Sequence, residues 1–211
     1  MVDASSSAPS PVVGSPAGTA APRRVWGPRF ESALMFACCR HYGQIRKGNG
    51  SPYITHPLGV AALVGEYGGD EDQAIAALLH DLLEDCGVKL EEISSRFGER
   101  VASIVSWCTD TTEQPKPPWQ QRKEAYLARL PGAPPDARLV VAADKLQNAE
   151  SIVHDLGRGS VGARVWSRFR ADRDQQLWYF RTVTEVLGEG WDHELLDELR
   201  HVVSRMGQAS A

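Results

Sequence analysis

Ala76-Ala77-Leu78-Leu79-His80-Asp81-Leu82-Leu83-Glu84-Asp85 is the stretch on which the fold of this chain turns. Its apolar run predicts one amphipathic helix. Asp70 suits the N-cap, and acidic Glu71 and Asp72 suit the first turn. His80 and Glu84 are four apart, as are Asp81 and Asp85, so at helical spacing the four side chains share one broad sector. An imidazole next to a carboxylate begins a divalent-metal site of the Mn, Fe, Co or Zn kind. A solvated acidic helix end with an incidental histidine would read the same, and the stretch alone leaves both open.

Composition narrows the field. A chain of 211 residues fits one domain with a sizeable core. Its net charge of −4 gives no overall attraction for nucleic acid or acidic membranes, so an anionic substrate needs a local basic patch. No apolar run approaches the roughly 20 residues of a membrane span. The N-terminus lacks the basic start and apolar core of a secretory signal. Cys38, Cys39, Cys86 and Cys108 form no C-x-x-C unit, which points to reduced thiols in a cytoplasmic protein and away from a zinc-cysteine site.

Outward from the central stretch, helical spacing recurs along the whole chain. Residues 1–24, rich in Ala, Ser, Pro and Gly, are expected to be a disordered tail. Phe30, Ala33, Leu34, Ala37, Cys38 and His41 mark a first helix ended by Gly43, with His41 read as a core histidine. Residues 44–57 form a loop, on which Arg46 and Lys47 are adjacent cations suited to phosphate. His56 stands where Pro57 opens a second helix, over about 57–67, apolar on nearly all sides. Further helices are expected over 89–97, around Val101–Cys108, over 120–130, 136–156, 163–187 with a break near Ala171-Asp172, and 191–206. Asp110 to Trp119, with three prolines and Lys116, is a loop. Asp144 interrupts the apolar face of the long helix, one turn before Asn148. A carboxylate there needs a partner, either an arginine or a metal. The fold class is all-α, in one domain over about 25–208.

The order His56, His80-Asp81, Asp144 resembles the HD-domain metal-dependent phosphohydrolases, with their H…HD…D signature on separate helices of a bundle. The likeness goes further. Residues 46–57, Arg-Lys-Gly-Asn-Gly-Ser-Pro-Tyr-Ile-Thr-His-Pro, are similar to the R-K-x-x-G-x-P-Y-x-x-H-P segment of RelA/SpoT-type alarmone hydrolases. Residues 76–85 resemble their A-A-x-L-H-D-x-x-E-D, Phe97-Gly98-x-x-Val101-Ala102 their F-G-x-x-V-A, and residues 143–148 their A-D-[KR]-L-x-N. The single-domain small alarmone hydrolases are the nearest match in length.

That resemblance implies one divalent metal, Mn²⁺ in the family, held by His56, His80, Asp81 and Asp144. It gives Glu84 and Asp85 the attacking water and the leaving-group proton. It sets Arg46 and Lys47 against the nucleotide and its phosphates, Asn148 at the ribose-phosphate, and Tyr179 beside the nucleotide. The implied reaction is hydrolysis of the 3′-pyrophosphate of (p)ppGpp to GDP or GTP and pyrophosphate. Its partner is a small nucleotide, with no nucleic acid or membrane. Competing readings are an HD phosphohydrolase for another nucleotide (pppApp, a dNTP or a 5′-nucleotide), or a non-catalytic alarmone-binding module. Two residues depart from the pattern. Cys86 replaces a frequent Thr, which suggests either oxidation sensitivity or plain packing. Glu150 replaces a frequent basic residue and would weaken phosphate grip there, with Lys116, Arg122 and Lys123 as candidate substitutes.

Overall fold

The computed structural model describes residues 26–46 and 50–209, so the expected tail at 1–24 and Lys47 lie outside the described residues. These residues form α1 (Pro28–Arg40), α2 (Thr55–Glu66), α3 (Glu71–Leu79), α4 (Leu82–Asp85), α5 (Leu90–Phe97), α6 (Glu99–Cys108), α7 (Trp119–Arg129), α8 (Pro135–Gly157), α9 (Arg173–Leu187) and α10 (Glu194–Gln208). Short 3-10 segments follow α7 and precede α9. The expected all-α bundle is therefore what the described residues adopt.

α3 is the axis of the bundle. Asp70 caps it through a reciprocal pair, accepting from the Gln73 N–H while the Gln73 side chain accepts from the Asp70 N–H. Every residue from Gln73 to Leu79 is buried, because α1, α2, α6 and α8 pack around the helix. The long α8 is the second axis and contacts α2, α3, α6, α9 and α10. Its middle, Ala137 to Leu146, is buried throughout. α2 is one-sided where all-round burial was expected. It hides His56, Pro57, Val60, Ala61 and Val64 but leaves Leu58 exposed.

Three boundaries differ from the sequence reading. The single helix expected over residues 76–85 is interrupted at His80-Asp81, dividing α3 from α4. His80 Nδ1 lies 2.7 Å from the Ala77 carbonyl, the group an unbroken helix would offer to the Asp81 N–H. The expected 163–187 helix starts as a 3-10 segment, Gly162–Arg168, behind a Gly162 at φ +51. A new helix then starts at α9, where Asp172 and Gln175 form another reciprocal cap. The last helix begins at Glu194 rather than Trp191, because the His193 ring accepts from the Leu195 N–H and Trp191 stacks on that ring outside the helix.

Candidate active site and metal centre

Four side chains from three places in the bundle meet at one wall. His56 comes from the first turn of α2, His80 and Asp81 from the α3–α4 break, and Asp144 from the middle of α8. His56 Nε2 and His80 Nε2 are 3.2 Å apart. Asp81 Oδ2 lies 3.2 Å from His80 Nε2 and 3.5 Å from His56 Nε2. Asp144 Oδ1 lies 3.2 Å from His56 Nε2 and 3.6 Å from His80 Nε2. Both histidines are buried, so this polar knot lies inside the protein.

The spacing suits a cation. An ion about 2.1 Å from each ligand sets neighbouring donors about 3.0 Å apart if octahedral and about 3.4 Å if tetrahedral. The far ring nitrogens are already engaged. His80 Nδ1 meets the Ala77 carbonyl and His56 Nδ1 meets Gln147 Oε1 at 2.6 Å. With a proton on each Nδ1, both Nε2 lone pairs and the Asp81 oxygen face one point, and Asp144 Oδ1 lies against the same two rings, a crowd of acceptors that a divalent ion resolves. His56, His80 and Asp81 can hold a divalent metal on donor placement alone. The nitrogen and carboxylate set suits Mn, Fe, Co or Zn. Without a metal, burial alone would disfavour the His80 imidazolium, yet Asp81 and Asp144 outweigh it and keep that ring's pKa well above the usual value. Burial would likewise raise Asp144, but the Lys145 ammonium and then the two imidazoles hold it well below the ordinary carboxylate range.

Asp144 was open between an arginine partner and a metal. The structure divides its two oxygens instead. Oδ2 pairs with Lys145 Nζ at 2.5 Å, while Oδ1 faces the imidazoles and accepts from Asn148 Nδ2 at 2.6 Å.

This wall bounds a cleft of about 640 Å³, also lined by Arg46, Glu84, Asp85, Lys123, Asn148 and Tyr179. Glu84 Oε1 accepts from the Asp110 N–H at 2.7 Å. Burial, and then the nearby Asp110 charge, push its carboxyl up to about 7. Asp110 itself stays ionised: burial opposes it, but Lys123 and Arg122 prevail. Asp85 is more exposed, and Lys116 Nζ lies 3.4 Å from one oxygen of each acid. Arg46 spans from its loop to α8, donating to Gln147 Oε1 and Asn148 Oδ1 at 3.0 Å each. Of the sequence-predicted site residues, Lys47 alone lies outside the described residues.

Some expectations take a different form. Arg122, a candidate phosphate cation, is bound to Asp110 and to the Pro117 carbonyl, so it braces the loop. Glu150 does not line the cleft and feels Glu66 and Glu198 on the other side of α8. The Cys86 thiol is half-buried among the Arg40 carbonyl, His41 and Gln44, and burial raises its pKa, which fits packing over ready oxidation. His41 is buried as expected, with Nδ1 on Gln44, but no partner meets its Nε2 among the described residues.

Sequence reasoning gave no role to Tyr53 or Gln147. Tyr53 donates to Asp81 Oδ2 at 2.6 Å and reaches Asp85 Oδ2 at 3.2 Å. Burial, then Asp81 and Asp85, raise its pKa far above the usual phenol value, so it remains a donor. Gly59 leaves room for Gln147: a Cβ at residue 59 would stand 3.1 Å from Gln147 Cγ and press it aside slightly. The Tyr next to Pro in the loop motif was a visible signal, whereas Gln147 carried none.

Comparison with known proteins agrees with this geometry. A family model described as HD domain matches residues 33–175. The human guanosine-3′,5′-bis(diphosphate) 3′-pyrophosphohydrolase MESH1 is 34% identical over 180 residues, covering 83% of this chain and 93% of that protein. The Xenopus tropicalis protein of the same name is 36% identical over 169 residues, 79% of this chain and 92% of its own length. A solved metazoan ortholog of SpoT, described as hydrolysing ppGpp and acting in starvation responses, aligns with a TM-score of 0.72 at 27% identity over 86% of this chain and 97% of that one.

Proposed function

The chain belongs to the HD-domain family, alongside the MESH1 pyrophosphohydrolases, and from that premise we propose that it hydrolyses the 3′-pyrophosphate of (p)ppGpp. The observation that carries this is the meeting of two imidazole nitrogens 3.2 Å apart with an oxygen each of Asp81 and Asp144, both 3.2 to 3.6 Å from those nitrogens, beside a cleft that also holds two acids and Arg46. Water adds its oxygen to the phosphorus nearest the ribose, the bond from that phosphorus to O3′ breaks, and O3′ takes a proton. The products are GDP or GTP and pyrophosphate.

His56, His80, Asp81 and Asp144 would hold the metal, for which we propose Mn²⁺. When bound, it supplies Lewis acidity toward the phosphoryl oxygens. Glu84, with a carboxyl near 7, exchanges a proton at neutral pH and is suited to take one from water and return it to O3′. Asp85, more open and within reach of Tyr53 and Lys116, orients the water. Arg46 and Asn148 meet the nucleotide from the α8 side, Lys47 is a further nucleotide contact in this proposal, and Tyr179 lines the same cleft beside the nucleotide. Four free cysteines suit the cytoplasm as the compartment. No helix among the described residues is long and apolar enough to cross a membrane.

The test is pyrophosphate release from ppGpp by metal-stripped protein with Mn²⁺ added back, with pppApp and dGTP in parallel. Release from ppGpp is expected, and only with metal. Turnover of another nucleotide but not ppGpp would replace the substrate, and no turnover of any would favour a binding module.

Tyr53→Phe is expected to cost about 10-fold in kcat with little change in KM, and about 10- to 100-fold in metal affinity, because Asp81 loses the donor that aims it. Unchanged metal affinity by titration would remove Tyr53 from that role.

A further inference from the structure

The inner corner of the cleft, beyond Asp144, holds a group of side chains of which the proposed hydrolysis uses only Tyr179, as a wall beside the nucleotide. Lys145 Nζ lies 5.6 Å from the ring centre of Tyr126 and 5.8 Å from that of Tyr179. Lys123 Nζ lies 4.6 Å from the Tyr179 ring. All four residues line the cavity. Tyr126 is 1% exposed and Tyr179 5%, yet neither hydroxyl has a hydrogen-bond partner among the described residues. A buried hydroxyl without a partner is uncommon, since it gives up water and receives nothing in return. Each lysine has one carboxylate, Asp144 for Lys145 and Asp110 for Lys123, which leaves further N–H groups on both. The two ammonium groups also repel each other. A corner of donors, two of them cationic and two unmet, has the chemistry of a site for a multiply charged oxyanion.

Position says which anion. Oδ1 of Asp144 faces the imidazoles and Asn148, which in turn meets Arg46, while Oδ2 faces Lys145. A group that extends from the metal centre past Asp144, away from the Arg46 side, arrives on Lys145 and the two phenols. We propose that this corner is a subsite for the far phosphate of the diphosphate leaving group, with Lys123, Lys145, Tyr126 and Tyr179 as its donors. The proposal rests on the hydrolase reading for the identity of the leaving group.

Inorganic pyrophosphate and orthophosphate are the probes, titrated calorimetrically into the Mn²⁺-loaded full chain and its Tyr126→Phe/Tyr179→Phe variant. Pyrophosphate affinity is expected to fall at least 10-fold in the variant, while orthophosphate, which reaches only the metal centre, changes less than 2-fold. The melting temperature should hold or rise, because the lost hydroxyls have no protein partner to forfeit. A Lys123→Met variant should weaken pyrophosphate in the same selective way. Unchanged pyrophosphate affinity in the double variant, equal weakening of both anions, or no pyrophosphate binding by the parent overturns the subsite. Parental turnover of ppGpp, measured separately, tells the two ideas apart. Turnover with an unaffected double variant sinks the subsite alone. Selective pyrophosphate loss in a protein that leaves ppGpp intact supports the subsite and moves it to another diphosphate-bearing nucleotide.

Discussion

Asp81→Ala is expected to give a folded protein with no measurable bound metal and with ppGpp turnover reduced by at least about 10³-fold, beyond the 10²–10³ typical of losing one electrostatic donor. Asp81 serves three neighbours. Its Oδ2 stands 3.2 Å from His80 Nε2 and 3.5 Å from His56 Nε2, and it accepts from the Tyr53 hydroxyl at 2.6 Å. Alanine leaves the two imidazoles with Asp144 alone, whose second oxygen is tied to Lys145. It also releases Tyr53 toward Asp85 and disturbs the acid that orients water. Folding should survive, because α3 and α4 keep the fully buried Leu79 and Leu82 on either side of the break. Circular dichroism, metal analysis and a pyrophosphate-release assay check this together. A folded variant working at the parental rate would show that the metal-site assignment is wrong.

Glu84→Gln is the second large effect, and it separates stability from activity. Burial of Glu84 and its closeness to Asp110 raise the carboxyl from 4.5 to about 7. In the unfolded chain the acid ionises near 4.5, and in the folded chain only near 7. Below both values the proton is bound in each state and the shift has no effect. As pH rises from about 4.5 to 7 the unfolded state loses its proton first, so the parent's stability falls across that window and stays lower above it. Glutamine cannot ionise, and its oxygen can still accept from the Asp110 N–H. On metal-stripped protein the variant should therefore be more stable than the parent at pH 8, by about 1–3 kcal/mol, and equal to it below about pH 4.5. Turnover should fall by about 10² to 10⁴, the range of a general acid-base group, with metal content unchanged. Melting curves at the two pH values decide the first part. Loss of metal would instead make Glu84 a ligand.

The legibility of this chain follows the range of its interactions. Helix existence is a local matter of apolar spacing and caps, so α1, α5, α6 and α8 lie within a residue or two of their expected ends. The H…HD…D order was visible because the residue types themselves are rare in apolar helices. The break at His80-Asp81 was not, because it depends on one imidazole bonding a carbonyl three residues back. Tyr53 and Gln147 stayed without roles for a different reason. Tyr53 reaches across 28 residues to Asp81, and Gln147 across 91 to His56, and no local pattern reports a partner that distant. Arg122 and Glu150 show the converse: charge near the motif was legible, but not that Arg122 pairs with Asp110 or that Glu150 stands outside the cleft lining, near the like charges of Glu66 and Glu198.

Gln147 Oε1 is shared. It accepts from Arg46, on the loop that meets the nucleotide, and it sits against Nδ1 of His56, which faces the metal centre with its other nitrogen. A nucleotide that draws Arg46 toward its phosphates leaves that oxygen to His56 alone and changes how the ring is held. Whatever factor this contributes to metal affinity, thermodynamic reciprocity requires the metal to change nucleotide affinity by the same factor. A single amide oxygen thus joins two binding equilibria, so that neither site has an affinity independent of the other's occupancy.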